Sequence, residues 1–123
     1  MHTKSRSFLS GFRHALDGVK EAFQSERSLR IHFAVAALVT VCGILLHINA
    51  REWITCVVLF GLVISAELMN TAMETAVDIF SPQPDPRAKR VKDIAAAAVL
   101  VVSLGAAIAG LIIFVPKVWS LIF

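Results

Sequence analysis

Three long apolar stretches, 31–48, 53–79 and 94–115, constrain the fold more than any other feature of this 123-residue chain. The shortest of them has 18 residues, which as a helix would rise about 27 Å and just cross the ~30 Å hydrocarbon layer of a bilayer. Because lipid offers the backbone no hydrogen-bond partners, such stretches are expected to be helical. The sequence therefore predicts an all-α membrane protein with three transmembrane helices.

The composition supports this fold class and predicts a single domain over 1–123. Apolar residues make up 57% of the chain and the mean hydropathy is +0.74, outside the range of ordinary soluble domains. The net charge is +3, but the twelve Lys and Arg residues cluster beside the apolar stretches. Flanking charges of this kind indicate membrane topology, so we expect no nucleic-acid partner.

The segment 7–24 has a different pattern from the three apolar stretches. Its apolar side chains recur every three or four residues, at Phe8, Phe12, Leu16, Val19 and Phe23. This spacing predicts an amphipathic helix that lies along the membrane surface. A polar junction follows, in which we expect Ser25 to cap the next helix and Glu26 to lie in its first turn.

A stripe of polar residues lies near the end of the second apolar stretch. Glu67, Asn70, Glu74 and Asp78 fall at offsets 0, 3, 7 and 11 and so share one face of a helix; we call them the polar stripe. Charged groups inside a membrane-length helix are costly and usually functional. The alternative, a helix that pairs its acids with basic neighbours, is less favoured because the nearest Arg and Lys residues lie beyond the segment.

The position of Trp53 sets the expected depth of the polar stripe. If Trp53 lies at one membrane interface, about 30 Å of hydrocarbon ends near Met73. Glu67 then lies roughly 9 Å below the opposite surface, and Glu74 lies at that surface.

The basic residues predict the orientation of the chain. Ten of the twelve precede the first stretch or lie between the second and third, and the exceptions are Arg51 and Lys117. The positive-inside rule places the N-terminus and the proline-rich loop at 81–86 in the cytoplasm and the C-terminus outside. The polar stripe therefore opens toward the cytoplasm.

The expected depths suggest a chemistry for the acidic residues. Glu26 and Glu74, both at the cytoplasmic surface, are candidates to share Mg²⁺, which prefers oxygen ligands and often holds substrate phosphates as well. Glu67 is a candidate general base for a lipid hydroxyl. Lys92 and the arginines near it would neutralise phosphate oxygens. No Gly-rich phosphate loop is present, which excludes a P-loop kinase as a template.

A second function also fits an acid inside the membrane. Glu67 would relay charge in a small oligomeric transporter or proton channel. Such a path needs polar groups across the whole bilayer, and the outer halves of the three stretches offer only Thr40, Thr55, Ser103 and His47. The channel is therefore the less favoured alternative.

The polar stripe also carries a family resemblance. The run 67–78, Glu-Leu-Met-Asn-Thr-Ala-Met-Glu-Thr-Ala-Val-Asp, followed by Lys92-Asp93-Ile-Ala-Ala, resembles the signature of the prokaryotic diacylglycerol kinase family of three-span membrane lipid kinases. The resemblance implies a homotrimer in a bacterial cytoplasmic membrane, with active sites between subunits and with Mg-ATP as co-substrate. It implies that Glu67 is the base and that Glu26 and Glu74 hold the metal.

The resemblance extends to the nucleotide side of the site. It implies that Asn70, Asp78, Lys92 and Asp93 line the same site, with His14 and Asp85 at positions of nucleotide contact. Two departures occur there: the family often has Glu-Tyr-His where this chain has Gln83-Pro84-Asp85, and an aromatic residue is common in place of His14. The junction 25–32 looks like the Gram-positive type, whose preferred lipid is undecaprenol, with diacylglycerol as the second candidate.

Overall fold

The computed structural model describes residues 4–123, with side chains from Ser7 onward. The side chains of Lys4 and Arg6, which count toward the predicted topology, lie outside the described part. The four helices are α1 (Lys4–Ser25), α2 (Arg27–Leu45), α3 (Ala50–Phe80) and α4 (Pro86–Ile122). The last three are long and apolar enough to cross a membrane, which confirms the predicted all-α class with three spans.

The helix ends differ from the predicted ones because capping groups, rather than hydropathy, decide where a helix begins. Asn49 and Glu52 form a capping box at the start of α3, in which each side chain accepts a hydrogen bond from the backbone of the other residue. The Asp85 carboxylate accepts from the backbone N–H of Arg87, and Pro86 occupies the first turn of α4. As a result α4 starts at Pro86 rather than at the predicted Ile94.

The junction between α1 and α2 corrects one expectation. Ser25 does not cap α2: it is the last residue of α1, and its hydroxyl donates to the carbonyl of Ala22. Glu26 is the N-cap residue, without a side-chain cap hydrogen bond. The end of α1 is instead held by Arg30, whose guanidinium donates to the carbonyls of Phe23 and Gln24 at 2.8 and 3.0 Å.

The buried core of the protomer is small and lies where α1, α2 and α3 meet. Ala22, Leu29 and Ile64 form it, and Leu29 is fully buried. Phe33 packs edge-on between Phe23 and Phe60, with ring centroids 5.5 Å apart in each pair. Beyond this core α3 packs mainly along α4. The outer faces of all three membrane-length helices carry exposed apolar side chains, as helices solvated by lipid or by other subunits do.

The other end of α2 packs closely against the start of α3. The chain turns at His47, which has a positive φ of 52°. A Cβ atom placed on Gly43 would lie 2.8 Å from Cη2 of the Trp53 ring and 3.0 Å from Cδ1 of Ile48. Gly43 therefore permits a close contact between α2 and the start of α3, and a larger residue at this position would push the two apart.

Because the indole ring is rigid, we expect Gly43→Ala to lower the free energy of unfolding of the detergent-solubilised protein by the ~1–3 kcal/mol typical of overpacking, and its melting temperature with it. Gly61→Ala is the matched control, since a Cβ there meets no atom within 4 Å. Adding Trp53→Leu to Gly43→Ala should recover part of the loss. Equal melting temperatures for the two single variants would contradict the proposed contact.

Candidate active site

Glu67 is the buried carboxylate of the polar stripe, with 3% of its surface exposed. It points from α3 toward α2, and each of its oxygens has a partner there. Ser28 Oγ donates to Glu67 Oε2 at 2.9 Å, and His32 Nε2 lies 3.0 Å from Glu67 Oε1. A carboxylate out of contact with water is stable only when it is hydrogen-bonded or paired, and the Ser28 hydrogen bond and the His32 contact meet that need.

The geometry of α2 explains why these two residues reach the same carboxylate. Ser28 and His32 are four positions apart, so they lie one above the other on one face of the helix. Leu29, beside Ser28, is fully buried in the contact with Ile64 of α3 and so fixes the rotation of α2. The first turn and a half of α2 thereby presents both side chains to Glu67.

The remaining members of the polar stripe become more exposed toward the end of α3. Asn70 is half-buried, and its Nδ2 lies 3.3 Å from Glu74 Oε1. The amide oxygen of Asn70 is buried without a hydrogen-bond partner among the described residues. Asp78 is exposed and forms an ion pair with Lys92 of α4. The polar stripe thus runs from a buried acid to an exposed ion pair.

A hollow of about 620 Å³ lies between the end of α3, the loop and the start of α4. Its lining combines Lys89 and Lys92 with Asp78, Asp85 and Asp93. Lys89 Nζ lies 2.6 Å from Asp93 Oδ2. The hollow therefore places two lysines beside Asp78, within reach of the polar stripe.

Asp85, a predicted nucleotide contact, already interacts with the first turn of α4. Besides capping α4, it pairs with Arg87, whose Nη2 lies 2.9 Å from Asp85 Oδ2. This hydrogen bond from the Arg87 side chain holds the pKa of Asp85 below its ordinary value. The cap is therefore fully formed above the ordinary range for a carboxyl group and is lost only as the pH falls through the lowered pKa.

Two other predicted site residues have no such partners among the residues that the structure describes. Glu26 is half-buried at the junction of α1 and α2, and His14 is exposed on α1. The part of the chain that the structure describes contains no cluster of three or more His, Cys, Asp or Glu side chains arranged to hold a metal ion. A cation at this site would need ligands beyond those that one chain gathers.

Ser28 and His32 are the site residues that the sequence reasoning missed. His32 lies at the start of the first apolar stretch and was not among the predicted site residues. The available signal was the spacing of Ser28 and His32, two hydrogen-bonding side chains one helical turn apart at the edge of an apolar helix. Their shared target, Glu67, lies 39 positions after Ser28, and nothing in local periodicity links the two.

A groove of about 630 Å³ runs between α2, α3 and α4 and reaches His32, one of the partners of Glu67. Its wall is mainly apolar, and its polar exceptions include His32, Thr40 and Ser103. Neither Glu67 nor Ser28 lines it. His32 therefore lines the apolar groove and also contacts the buried carboxylate of Glu67.

The fold and the site define a class: a three-span helical membrane protein with a buried, hydrogen-bonded carboxylate, an apolar groove and a hollow lined by lysines and aspartates. The family model of the prokaryotic diacylglycerol kinases matches residues 13–114. The chain belongs to this family, so the predicted resemblance is confirmed, and with it the class of membrane lipid kinase.

Curated relatives agree with this membership. The chain is 41% identical to the undecaprenol kinase of Bacillus subtilis over 110 residues, which are 89% of each chain. It is 37% identical to the diacylglycerol kinase of Synechocystis over 94% of its own length and 66% of that protein. The diacylglycerol kinase of Helicobacter pylori is 31% identical over 80% of this chain and 79% of its own length.

Proposed function

We propose that the protein transfers the γ-phosphate of ATP to the hydroxyl of a membrane lipid alcohol at the cytoplasmic face of a bacterial membrane. The observation that carries the proposal is the Glu67 carboxylate, buried at the end of a membrane-length helix and held by Ser28 and His32. In this reaction Glu67 provides the catalytic base.

Two separate recesses suit two chemically different substrates. The hydrocarbon chain of the lipid alcohol suits the apolar groove, and its volume of about 630 Å³ falls within the ~300–1,000 Å³ typical of ligand sites. The phosphates of ATP, together with Mg²⁺, suit the hollow, whose lining combines Lys89 and Lys92 with three aspartates. The rise from Glu67 to Glu74 is about 10 Å along α3, so the reacting groups meet between the two recesses.

Magnesium is the cation that the candidate ligands fit. Glu26 and Glu74 offer hard oxygen donors, and the buried amide oxygen of Asn70 has no partner within residues 7–123. Mg²⁺ in kinases is commonly held by one or two carboxylates together with substrate phosphates. Glu26 and Glu74 would hold Mg²⁺, which when bound neutralises phosphate charge. Asp93, Asp78 and His14 complete the proposed nucleotide side.

We propose a homotrimer with active sites between subunits, as the family resemblance implies, and the apolar surface of the single chain leaves room for such contacts. Large apolar side chains such as Leu38, Val57 and Leu111 are more than half exposed on the membrane-length helices. Glu26 has no ion-pair partner among the described residues. A neighbouring subunit would cover part of the apolar surface and bring further polar groups to Glu26 and Glu74.

The relatives favour undecaprenol as the lipid, with diacylglycerol second. Identity is higher to the undecaprenol kinase than to either diacylglycerol kinase, and that match also covers more of the relative. The channel alternative is not favoured, because the relatives are named as kinases and the far halves of the helices offer no chain of ionisable groups that continues from Glu67.

The proposal is tested by phosphate transfer with purified protein in detergent or lipid. We expect undecaprenol to be phosphorylated with Mg-ATP, and diacylglycerol more slowly, as measured with γ-labelled ATP and lipid extraction. Hydrolysis of ATP without any phosphorylated lipid would contradict the proposal.

Removing the base gives the matched variant for this assay. Glu67→Gln keeps the size and the hydrogen-bonding oxygen of the side chain but removes its charge. We expect turnover to fall by about 10²- to 10⁴-fold, the usual contribution of a positioned base, with little change in the affinity for Mg-ATP. A variant with more than about a tenth of wild-type turnover would show that Glu67 is a structural acid.

The proposed metal ligands predict a different kinetic defect. We expect Glu26→Gln and Glu74→Gln each to abolish activity or to raise the Mg²⁺ requirement steeply, since the isostere removes a charged ligand at constant volume. Glu21→Gln, an exposed acid on α1, is the control. Ordinary Mg²⁺ titrations for Glu26→Gln or Glu74→Gln would remove that residue from the metal site.

The proposed orientation is tested by cysteine labelling in cells. In a background with Cys42 and Cys56 replaced by alanine, a Gln83→Cys variant should react with an impermeant thiol reagent only after the cells are opened. A Ser120→Cys variant should react in intact cells. Labelling of Gln83→Cys in intact cells would invert the topology and remove ATP as the phosphate donor.

A further inference from the structure

We propose that Arg30 is a positioning residue for the metal site: its guanidinium holds the end of α1 and so fixes the backbone at Glu26, the proposed ligand of Mg²⁺. The inference rests on the proposed lipid kinase function and deepens it, because it names a residue outside both substrate recesses on which the metal site depends. Arg30 itself contacts neither the metal nor a substrate in this role.

Glu26 is a one-residue hinge between two helices. It stands alone between α1, which ends at Ser25, and α2, which begins at Arg27. Its backbone is extended, with a φ of -112° and a ψ of 113°. Its N–H donates to the Ala22 carbonyl of α1 at 2.8 Å, and its carbonyl accepts from the N–H of Arg30 in α2 at 3.4 Å. The torsion angles of Glu26 therefore set both the angle between the helices and the direction of its carboxylate.

The guanidinium of Arg30 reaches back across this hinge. Its Nη1 donates to the carbonyls of Phe23 and Gln24 at 2.8 and 3.0 Å. The last carbonyls of a helix have no partners within the helix, and a cation beside them also favours the negative end of the helix dipole. Because the donor belongs to α2 and both acceptors belong to α1, these hydrogen bonds oppose any change in the angle between the helices.

Apolar packing holds the same junction. Ala22, in the last turn of α1, is buried in the core with Leu29 of α2 and Ile64 of α3. Leu29 directly precedes Arg30, so the packed residue and the clamping residue are neighbours in α2. The end of α1 is thus held both by a buried side chain and by its carbonyls. With both contacts in place, the half-buried side chain of Glu26 keeps one direction.

The choice of partner by Arg30 also leaves the Glu26 carboxylate available. Arg30 follows Glu26 by four positions, a spacing at which an acid and a base commonly pair. Within residues 7–123 no ion pair joins them, and the guanidinium binds the carbonyls of α1 instead. The carboxylate therefore carries no fixed cation of the same chain, as a ligand for a divalent cation requires.

The test compares Arg30→Gln with Arg27→Gln, which removes the same charge from an exposed residue three positions earlier. We expect Arg30→Gln to raise the Mg²⁺ concentration for half-maximal lipid phosphorylation by about 3- to 10-fold, the change that corresponds to about one lost hydrogen bond. Turnover at saturating Mg²⁺ should change little. Arg27→Gln should not raise the Mg²⁺ requirement. Arg30→Lys, which keeps a charged donor, should fall between the wild type and Arg30→Gln, and it carries the same comparison if Arg30→Gln does not fold.

Amide hydrogen exchange without metal or nucleotide provides a readout that is independent of activity. We expect faster exchange over residues 20–26 in Arg30→Gln than in Arg27→Gln, because the last turn of α1 loses its clamp.

Three results would overturn the inference alone, in a wild-type protein that phosphorylates lipid. These are equal Mg²⁺ titrations for Arg30→Gln and Arg27→Gln, equal exchange over residues 20–26, or a loss of turnover that saturating Mg²⁺ does not restore. The last result would mean that Arg30 serves the stability of the fold rather than the metal site. If the wild-type protein phosphorylates no lipid alcohol, the proposed function itself fails and the inference fails with it, which separates the two cases.

Discussion

The burial of one carboxylate, Glu67, organises the proposed active site of this molecule. A charged group buried within a membrane-length helix is costly, and the contacts of Glu67 with Ser28 and His32 offset that cost. Both side chains belong to the first turn and a half of α2, so their contacts with Glu67 also dock α2 against α3. The small core of Ala22, Leu29 and Ile64 lies at the same place. The small buried core of the protomer therefore lies beside the buried charge.

The polar stripe extends this constraint into a gradient along α3. Glu67 is buried, Asn70 and Glu74 are half-buried, and Asp78 is exposed and paired with Lys92. Polar groups in successive turns thus lead from an apolar environment to an aqueous one over about 16 Å. Two substrates of opposite polarity can approach one helix from its two ends without sharing a binding surface.

Hydropathy and periodicity predicted much of this arrangement. The three spans follow from the cost of unpaired backbone groups in lipid, and the common face of Glu67, Asn70, Glu74 and Asp78 follows from helical geometry alone. Hydropathy did not predict the helix ends. Asp85 caps α4 with a local hydrogen bond, so the helix begins before its apolar stretch. The partners of Glu67 were missed for a different reason. Contacts between helices depend on the rotation of α2, which the packing of Leu29 sets and which no single stretch of sequence specifies.

The exclusion of water from Glu67 also bears on the choice of acceptor in the proposed reaction. Water competes with any alcohol for a phosphoryl group, and it is far more abundant at the membrane surface. Glu67 has only 3% of its surface exposed, and the groove that reaches His32 is lined mainly by apolar side chains. A base in that position can activate a hydroxyl carried in by a hydrocarbon chain, whereas bulk water has no comparable route to it. Selectivity for a lipid over water then follows from where the base is buried, before any recognition of the lipid itself.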